Sequence, residues 1–287
     1  TMPDNERLTW ALQEALGVQE VSIPYTVMVR MASTLRENNF RVCVKGRLVG
    51  DRFRCMEICA PESTGIYGCA IDIGTTTVTM VIADLTSGKI LAKGSSGNGQ
   101  IRYGADVINR IIEQGKPGGK KKLQDAIVKE TLTPILAGLC KSASLDPRSI
   151  LSLCVGANTT MNHLFVGVDA QSVRMEPYIP SFFHWEGLLA GDVKLPANPL
   201  APVQIAPNIG SYVGGDITAG TLASGIWDRD EMSLFIDLGT NGEIVFGNRD
   251  FLMSCACSAG PAFEGGDISC GMRATDGAIE ACTIDKG

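Results

Sequence analysis

Long apolar runs are missing from this 287-residue sequence. No stretch approaches the roughly 20 residues that a membrane-spanning helix needs, and no charged start followed by an apolar core marks a secretory leader. A cytoplasmic location is therefore the expectation. Concentrated positive charge is also missing: the formal charge is −6 and the pI is near 5.1. A nucleic-acid partner is not expected, because phosphate backbones are bound by dense basic surfaces. Lys120, Lys121 and Lys122 form the single basic run, which reads as the solvated start of a helix. Ten cysteines are present, but none stand in Cys-x-x-Cys pairs, so reduced thiols fit better than a disulfide framework. Cys55 with Cys59, and Cys255 with Cys257, are close enough to share a strand face, where core packing is the expected role and not metal ligation. A P-loop is absent as well, since no Gly-x-x-x-x-Gly-Lys-Ser/Thr occurs. Any phosphate would need a different cradle.

The chain does have apolar content for a sizeable core, at 45% hydrophobic residues, and length for about two domains. Residues 1 to 61 read as a small α/β unit. "PYTVMVRMASTLRENN" carries apolar residues at helical spacing, and "FRVCVKG" and "RFRCMEIC" alternate like two strands joined near Gly50. Residues 62 to 66 read as a linker, and a new unit opens at Tyr67.

That unit begins with three strand signals, "YGCAIDIG", "TVTMVIADL" and "KILAKGSS". The helix "GADVINRIIEQ" follows, with Val107, Ile108, Ile111 and Ile112 placed on one apolar face. A second helical stretch, from Lys121 to Ala143, precedes the strand "ILSLCVGA". The order β-β-β-α-β-α is that of a ribonuclease H-like half domain, assigned to residues 67–201. A second, incomplete half is assigned to residues 202–287, because "GDITAGTLASGIW" reads as a helix and "LFIDLGTNGEIVFGN" repeats the first hairpin. Both hairpins read Ile-Asp-x-Gly-Thr, then polar residues, then another strand.

This repeated turn suits an anionic ligand. Glycine lets the backbone turn tightly and approach a ligand without a Cβ, so successive N–H groups can form an anion-binding nest. Threonine hydroxyls add short neutral donors. An aspartate at the strand end repels phosphate unless a hydrated Mg²⁺ lies between them. For one such hairpin alone, a capped turn explains the residues equally well; two in one chain favour a polyphosphate clamp.

The hairpin pair resembles the two phosphate motifs of the actin, sugar kinase and Hsp70 ATPase superfamily, in which two ribonuclease H-like lobes enclose ATP. The resemblance narrows through "NGQIRYGADVINRI", "GANTTMNHLFVG", "YVGGDITAG" and "SAGPAFEGGDISCGMRATDGAI", in the order seen in the reductive activators of corrinoid proteins. It implies ATP-assisted reduction of cobalt(II) corrinoid to cobalt(I) on a corrinoid protein partner. It also implies that residues 1–61 match the family's small middle domain. Asp72, Gly74, Thr75 and Thr76 would form the first phosphate loop, and Asp237, Gly239, Thr240, Asn241 and Gly242 the second, with Asp72 and Asp237 holding Mg²⁺ through water. Gly260, Pro261, Glu264 and Gly265 would meet the adenosine, a glycine-rich turn being the alternative. Asp216 would orient the attacking water, an ordinary N-cap being its alternative. His163 reads as a packing residue.

The plant-type 2Fe–2S ferredoxin domain that opens such activators has no counterpart here in cysteine spacing, and the expected end of the ATPase domain is missing too. A fragment of a longer chain is the expectation, with a homodimer left open. A small-molecule kinase, in which Asp216 would deprotonate an acceptor hydroxyl, and an ATP-switched scaffold are the alternative functions. Because no iron–sulfur spacing is present, the purified 287-residue chain should be colourless; a stoichiometric iron–sulfur spectrum would refute this reading of the cysteines.

Overall fold

The computed structural model describes residues 2–239 and 241–257. Its first unit packs two helices on a small sheet. Prolines 3 and 24 stand at the N-cap positions of α1 (Asp4–Leu16) and α2 (Tyr25–Glu37), where an extended φ near −65° suits the entry to a helix. Val27, Met31 and Leu35 recur every four residues on α2 and turn inward. They meet Phe53, Cys55 and Ile58 of β3 (Arg52–Cys59), which pairs antiparallel with β2 (Cys43–Val49). A short strand unmarked in the sequence, β1 (Glu20–Ser22), adds parallel to β3 on its other edge. Cys55 thus serves the core, while Cys59 lies across from Cys43 on the neighbouring strand.

The second unit is a five-stranded sheet. β4 (Tyr67–Ile73), β5 (Thr77–Asp84) and β6 (Ile90–Gly97) form an antiparallel meander, and β7 (Ile150–Ala157) joins β4 in parallel. Alternation along β4 and β5 sends Cys69, Ile71, Ile73, Val78, Met80 and Ile82 into the core. The fifth strand is β8 (Val203–Ile205), parallel to β7. The order β6-β5-β4-β7-β8 is ribonuclease H-like, as the sequence implied. The expected start of the second half at residue 202 lies just before β8, which hydrogen-bonds into the first sheet.

Helices α3 (Val107–Gln114), α4 (Gly119–Ile127) and α5 (Thr133–Ser142) pack with this sheet, a π turn at Val128–Leu132 joining the last two. The lysine run does open α4: Lys120, Lys121 and Lys122 pair with Asp169, Asp125 and Glu113. The inward face of α3 is rotated from the one expected. Ile111 is fully buried, but Ile108 and Ile112 are exposed, and Arg110 and Gln114 are buried in their place. An apolar-only reading of the helix could not find a face that carries a guanidinium.

The third sheet is antiparallel, with β9 (Ser233–Leu238), β10 (Gly242–Gly247) and β11 (Leu252–Cys257) in the order β11-β10-β9. Cys255 and Cys257 are exposed on β11, not packed in a core. Helix α7 (Gly215–Ser224) bridges the second and third sheets. Its Ile217 packs with Val213, Val245 and Phe235, while the helix also rests on β7.

After β7 comes α6 (Thr159–Val166), capped by Asn158, whose side chain accepts the Met161 N–H at 2.9 Å. Such a cap is worth about 1 kcal/mol. His163 on this helix is fully buried. Its Nδ1 lies 2.7 Å from the Thr159 carbonyl, its Nε2 accepts the Ser181 N–H at 3.0 Å, and its ring stacks on Phe182. Those neighbours match a neutral ring with the proton on Nδ1 and leave no lone pair for chemistry.

Burial holds the His163 pKa below its ordinary 6.5. The unfolded chain therefore takes up a proton that the folded chain resists, so the stability His163 supports is complete above pH 6.5 and is lost as pH falls below it. Thermal midpoints measured from pH 7.5 to 5.5 should fall more steeply for the native chain than for His163→Met. Parallel pH profiles would show that the ring titrates freely.

Candidate functional site

β4 ends in Asp72 and Ile73, and residues 74–76 turn the chain into β5. Three consecutive carbonyls of this turn are held from beneath. The Gly74 carbonyl accepts Asn98 Nδ2 at 2.8 Å, that of Thr75 accepts Arg110 Nη2 at 2.6 Å, and that of Thr76 accepts the Asn98 N–H at 2.8 Å. A trans peptide places a C=O and the following N–H on opposite sides, so the N–H groups of Thr75 and Thr76 face away from Asn98 and Arg110. Neither finds a partner among the described residues. The Thr75 hydroxyl turns inward and accepts Asn158 Nδ2 at 3.1 Å, whereas Thr76 is exposed.

The second hairpin joins β9 to β10. Asp237 and Glu243 are directly paired in its antiparallel register, and the Gly239 N–H reaches the Asn241 carbonyl at 2.9 Å across the turn. Gly242 is buried as the first residue of β10. Thr240, and the proposed adenosine residues Gly260, Pro261, Glu264 and Gly265, lie outside the described residues.

Glycines bring the third acidic element into place. A Cβ on Gly214 would stand 2.4 Å from the Asn158 Cα, and one on Gly215 would stand 2.3 Å from the Ala206 carbonyl oxygen. Both are impossible approaches, so only glycine lets the start of α7 settle against the ends of β7 and β8. Asp216 then lies over Gly156, the β7 residue paired with Asp72. Gly214, not Asp216, is the N-cap of α7. Asp216 sits in the first turn, where its Oδ1 accepts the Ile217 N–H at 2.8 Å.

These elements converge. Burial and the charges of Asp237 and Asp72 lift the Asp216 pKa to about 6, despite the Ile217 hydrogen bond that opposes the shift. Burial and the charges of Asp216 and Asp237 lift Glu243 to about 7. Burial and Asp237 raise Asp72 as well. Two hairpins and one helix start thus bring Asp72, Asp216, Asp237 and Glu243 near enough for their charges to act on one another.

Glu243 was not assigned a role from the sequence, although the signal was there: in a tight hairpin whose strands pair at Leu238 and Gly242, the next pair must be Asp237 with Glu243. Asn98, Arg110 and Asn158 were also missed, because residues far apart in sequence reach the loop only through tertiary packing.

The site fits a polyphosphate with a cation. Two outward N–H groups and an exposed threonine offer donors, and the crowded carboxylates need positive charge. Among the described residues, no group of three or more His, Cys, Asp or Glu is arranged to hold a metal ion directly. A hydrated ion would reach such carboxylates through its waters. Cavities of about 1040 Å³ against α1 and about 300 Å³ between α2, β3 and Asn198 belong to the small first unit or its border, away from the hairpins.

Comparison with known proteins decides the family. A model described as the RACo middle region matches residues 67–229, and one described as the C-terminal ASKHA domain of RACo matches residues 231–287. The chain belongs to the RACo family of reductive activators of corrinoid proteins. It is 41% identical over 223 residues to the corrinoid activation enzyme RamQ of Eubacterium limosum, covering 77% of this chain and 37% of that protein. Over 75 residues it is 39% identical to a Co(II) methylated amine-specific corrinoid protein reductase of Methanosarcina barkeri, covering 26% of this chain and 14% of that one. Among solved structures, a reductive activator for corrinoid, iron-sulfur protein superposes with a TM-score of 0.83 at 42% identity, covering 97% of this chain and 44% of the other. The chain therefore spans less than half the length of these relatives. Its architecture is mixed α/β of the ASKHA type. The two family models meet between residues 229 and 231, just before β9.

Besides its burial, the charges of Asp216 and Asp237 raise the Glu243 pKa. Glu243→Gln removes one charge while keeping the side-chain shape, so at pH 8 without divalent ions this variant should melt at a higher temperature than the native chain. An unchanged or lower midpoint would show that the Glu243 charge is not in conflict with Asp216 and Asp237.

Proposed function

We propose that this chain is the nucleotide-binding part of an ATP-dependent reductive activator, which returns an inactive cobalt(II) corrinoid on a partner corrinoid protein to cobalt(I). The observation that carries the reading is the convergence of the two Asp-x-Gly-Thr hairpins with Asp216 in a member of the RACo family. The electron would come from a 2Fe–2S domain of the kind the family carries in its N-terminal part. ATP supplies the free energy of phosphate hydrolysis when bound. A cytoplasmic setting suits the described cysteines, all of which are free thiols, and no described helix is long and apolar enough to cross a membrane.

Each residue in the site takes a role from its position. The Thr75 and Thr76 N–H groups would receive phosphate oxygens, with the Gly239–Gly242 turn opposing them from the second hairpin. Asp72 and Asp237, at the strand ends, would orient waters of a hydrated Mg²⁺, whose charge would offset theirs. Asp216 would hold and orient the attacking water, since its raised pKa keeps a proton acceptor near neutral pH. Glu243, paired with Asp237 across the hairpin, would set the position of that aspartate and the local negative potential. Gly260, Pro261, Glu264 and Gly265 would enclose the adenosine.

In the full-length protein, Asp72→Ala and Asp237→Ala should each lower Mg²⁺-dependent ATP hydrolysis about a hundredfold, the scale of a lost electrostatic group at a reacting centre. Thr75→Val leaves the N–H groups in place but strands the Asn158 amide, so its effect should be nearer the ~1 kcal/mol of a single hydrogen bond. Equal hydrolysis rates in the native protein and both folded aspartate variants, at saturating Mg²⁺ and ATP, would remove the hairpins from the catalytic site.

A further inference from the structure

Arg110 is a fully buried guanidinium on α3, with 0% of its surface exposed. Arginine is almost never so deeply buried unless an acid pairs with it. Here no acid is among its hydrogen-bond partners in the described residues. Nε donates to the Gly104 carbonyl at 2.9 Å, Nη2 donates to the Thr75 carbonyl at 2.6 Å, and Nη1 lies 3.5 Å from Gln100 Oε1 and 3.3 Å from Met161 Sδ. Asp106 is the acid whose charge reaches it, and its carboxylate is engaged in capping α3 through the N–H of Asn109. A buried charge held only by neutral dipoles is strongly disfavoured on its own.

One arrangement removes the difficulty. The Thr75 carbonyl that Arg110 grips belongs to the peptide whose other face is the unpartnered Thr76 N–H. The cation therefore polarises that peptide toward the side where the hairpin offers its donors. An anion there would receive a strengthened N–H and would balance the guanidinium across a single peptide plane. We propose that Arg110 is a positioning residue for phosphate binding, fixing the orientation of the Thr75–Thr76 peptide and supplying the buried positive charge that a bound polyphosphate neutralises.

This inference rests on the nucleotide reading of the site and goes beyond it, by assigning phosphate affinity to a residue that touches no ligand. Its effect must fall on phosphate and not on the nucleoside.

The test is calorimetric binding of MgATP and of inorganic tripolyphosphate to the full-length protein, with folding verified by circular dichroism. Arg110→Gln should weaken both ligands about tenfold or more, the scale of one lost charge-assisted contact. Arg110→Lys keeps the charge but cannot hold the Gly104 and Thr75 carbonyls together, so it should fall between the two. Equal affinities in native protein and folded Arg110→Gln would overturn the proposal.

Should both variants fail to fold, selective ¹⁵N-threonine labelling of the native protein gives the answer without substitution. Saturating tripolyphosphate should move the Thr76 amide proton downfield, and an unmoved resonance would overturn the proposal. Native protein that binds neither ligand would refute the nucleotide reading itself, and this inference with it, whereas binding that ignores Arg110 refutes this inference alone.

Discussion

The approach of α7 to the end of β7 decides where the charged groups of this chain lie. Gly214 and Gly215 sit where a Cβ would enter the Asn158 backbone or the Ala206 carbonyl, so the helix start docks at backbone contact distance. Every other relation in the site follows from that contact. It sets Asp216 above the β7 residue that pairs with Asp72, and through Ile217 and Phe235 it fixes the β9–β10 hairpin relative to the first sheet. A single added methyl at either glycine would move the helix outward and separate the hairpins. The constraint is steric, which is why residues with no chemistry of their own govern the geometry of residues that have it.

The first hairpin is rigid for a different reason. Its three inward carbonyls are held by Asn98 and Arg110, both buried, and Asn98 is itself braced by the Gln100 N–H at 2.9 Å. A loop of glycine and threonine has little intrinsic preference for one shape. Here a buried polar network selects the shape in which the donors face outward. Local sequence therefore names the loop, while distant residues determine what it presents.

That division explains how much could be read in advance. The meander β4-β5-β6, the strand β7, the hairpin β9–β10 and the helix α7 were legible because alternation and repeat signals are local. Asp72 and Asp237 could be singled out as candidates from the repeat, and Asp216 from the family resemblance. Arg110 was hidden by the assumption that a buried helix face is apolar: Ile108 and Ile112 were assigned to a face that carries Arg110 and Gln114 instead. Glu243 was within reach, since hairpin register alone pairs it with Asp237. The place of β8 was beyond reach, because a three-residue strand after a long proline-containing connection carries no sign of which sheet it will join.

Charge is arranged in layers across the first hairpin. On one side of the loop lies a guanidinium with no acid bonded to it; near the loop lie Asp72, Asp216 and Glu243, whose pKa values are raised by burial and by neighbouring acidic groups. The loop peptide stands between them, with its carbonyls toward the cation and its N–H groups toward the open side. Each layer carries charge of one sign, since Arg110 has only neutral hydrogen-bond partners and the acids lie near one another. A metal ion carried with a polyphosphate is the kind of ligand that suits both layers at once, its anionic oxygens meeting the N–H groups and its metal meeting the acids. Such a ligand would place charge of opposite sign against each layer. A ligand that touched both hairpins would favour the arrangement that α7 and its glycines permit.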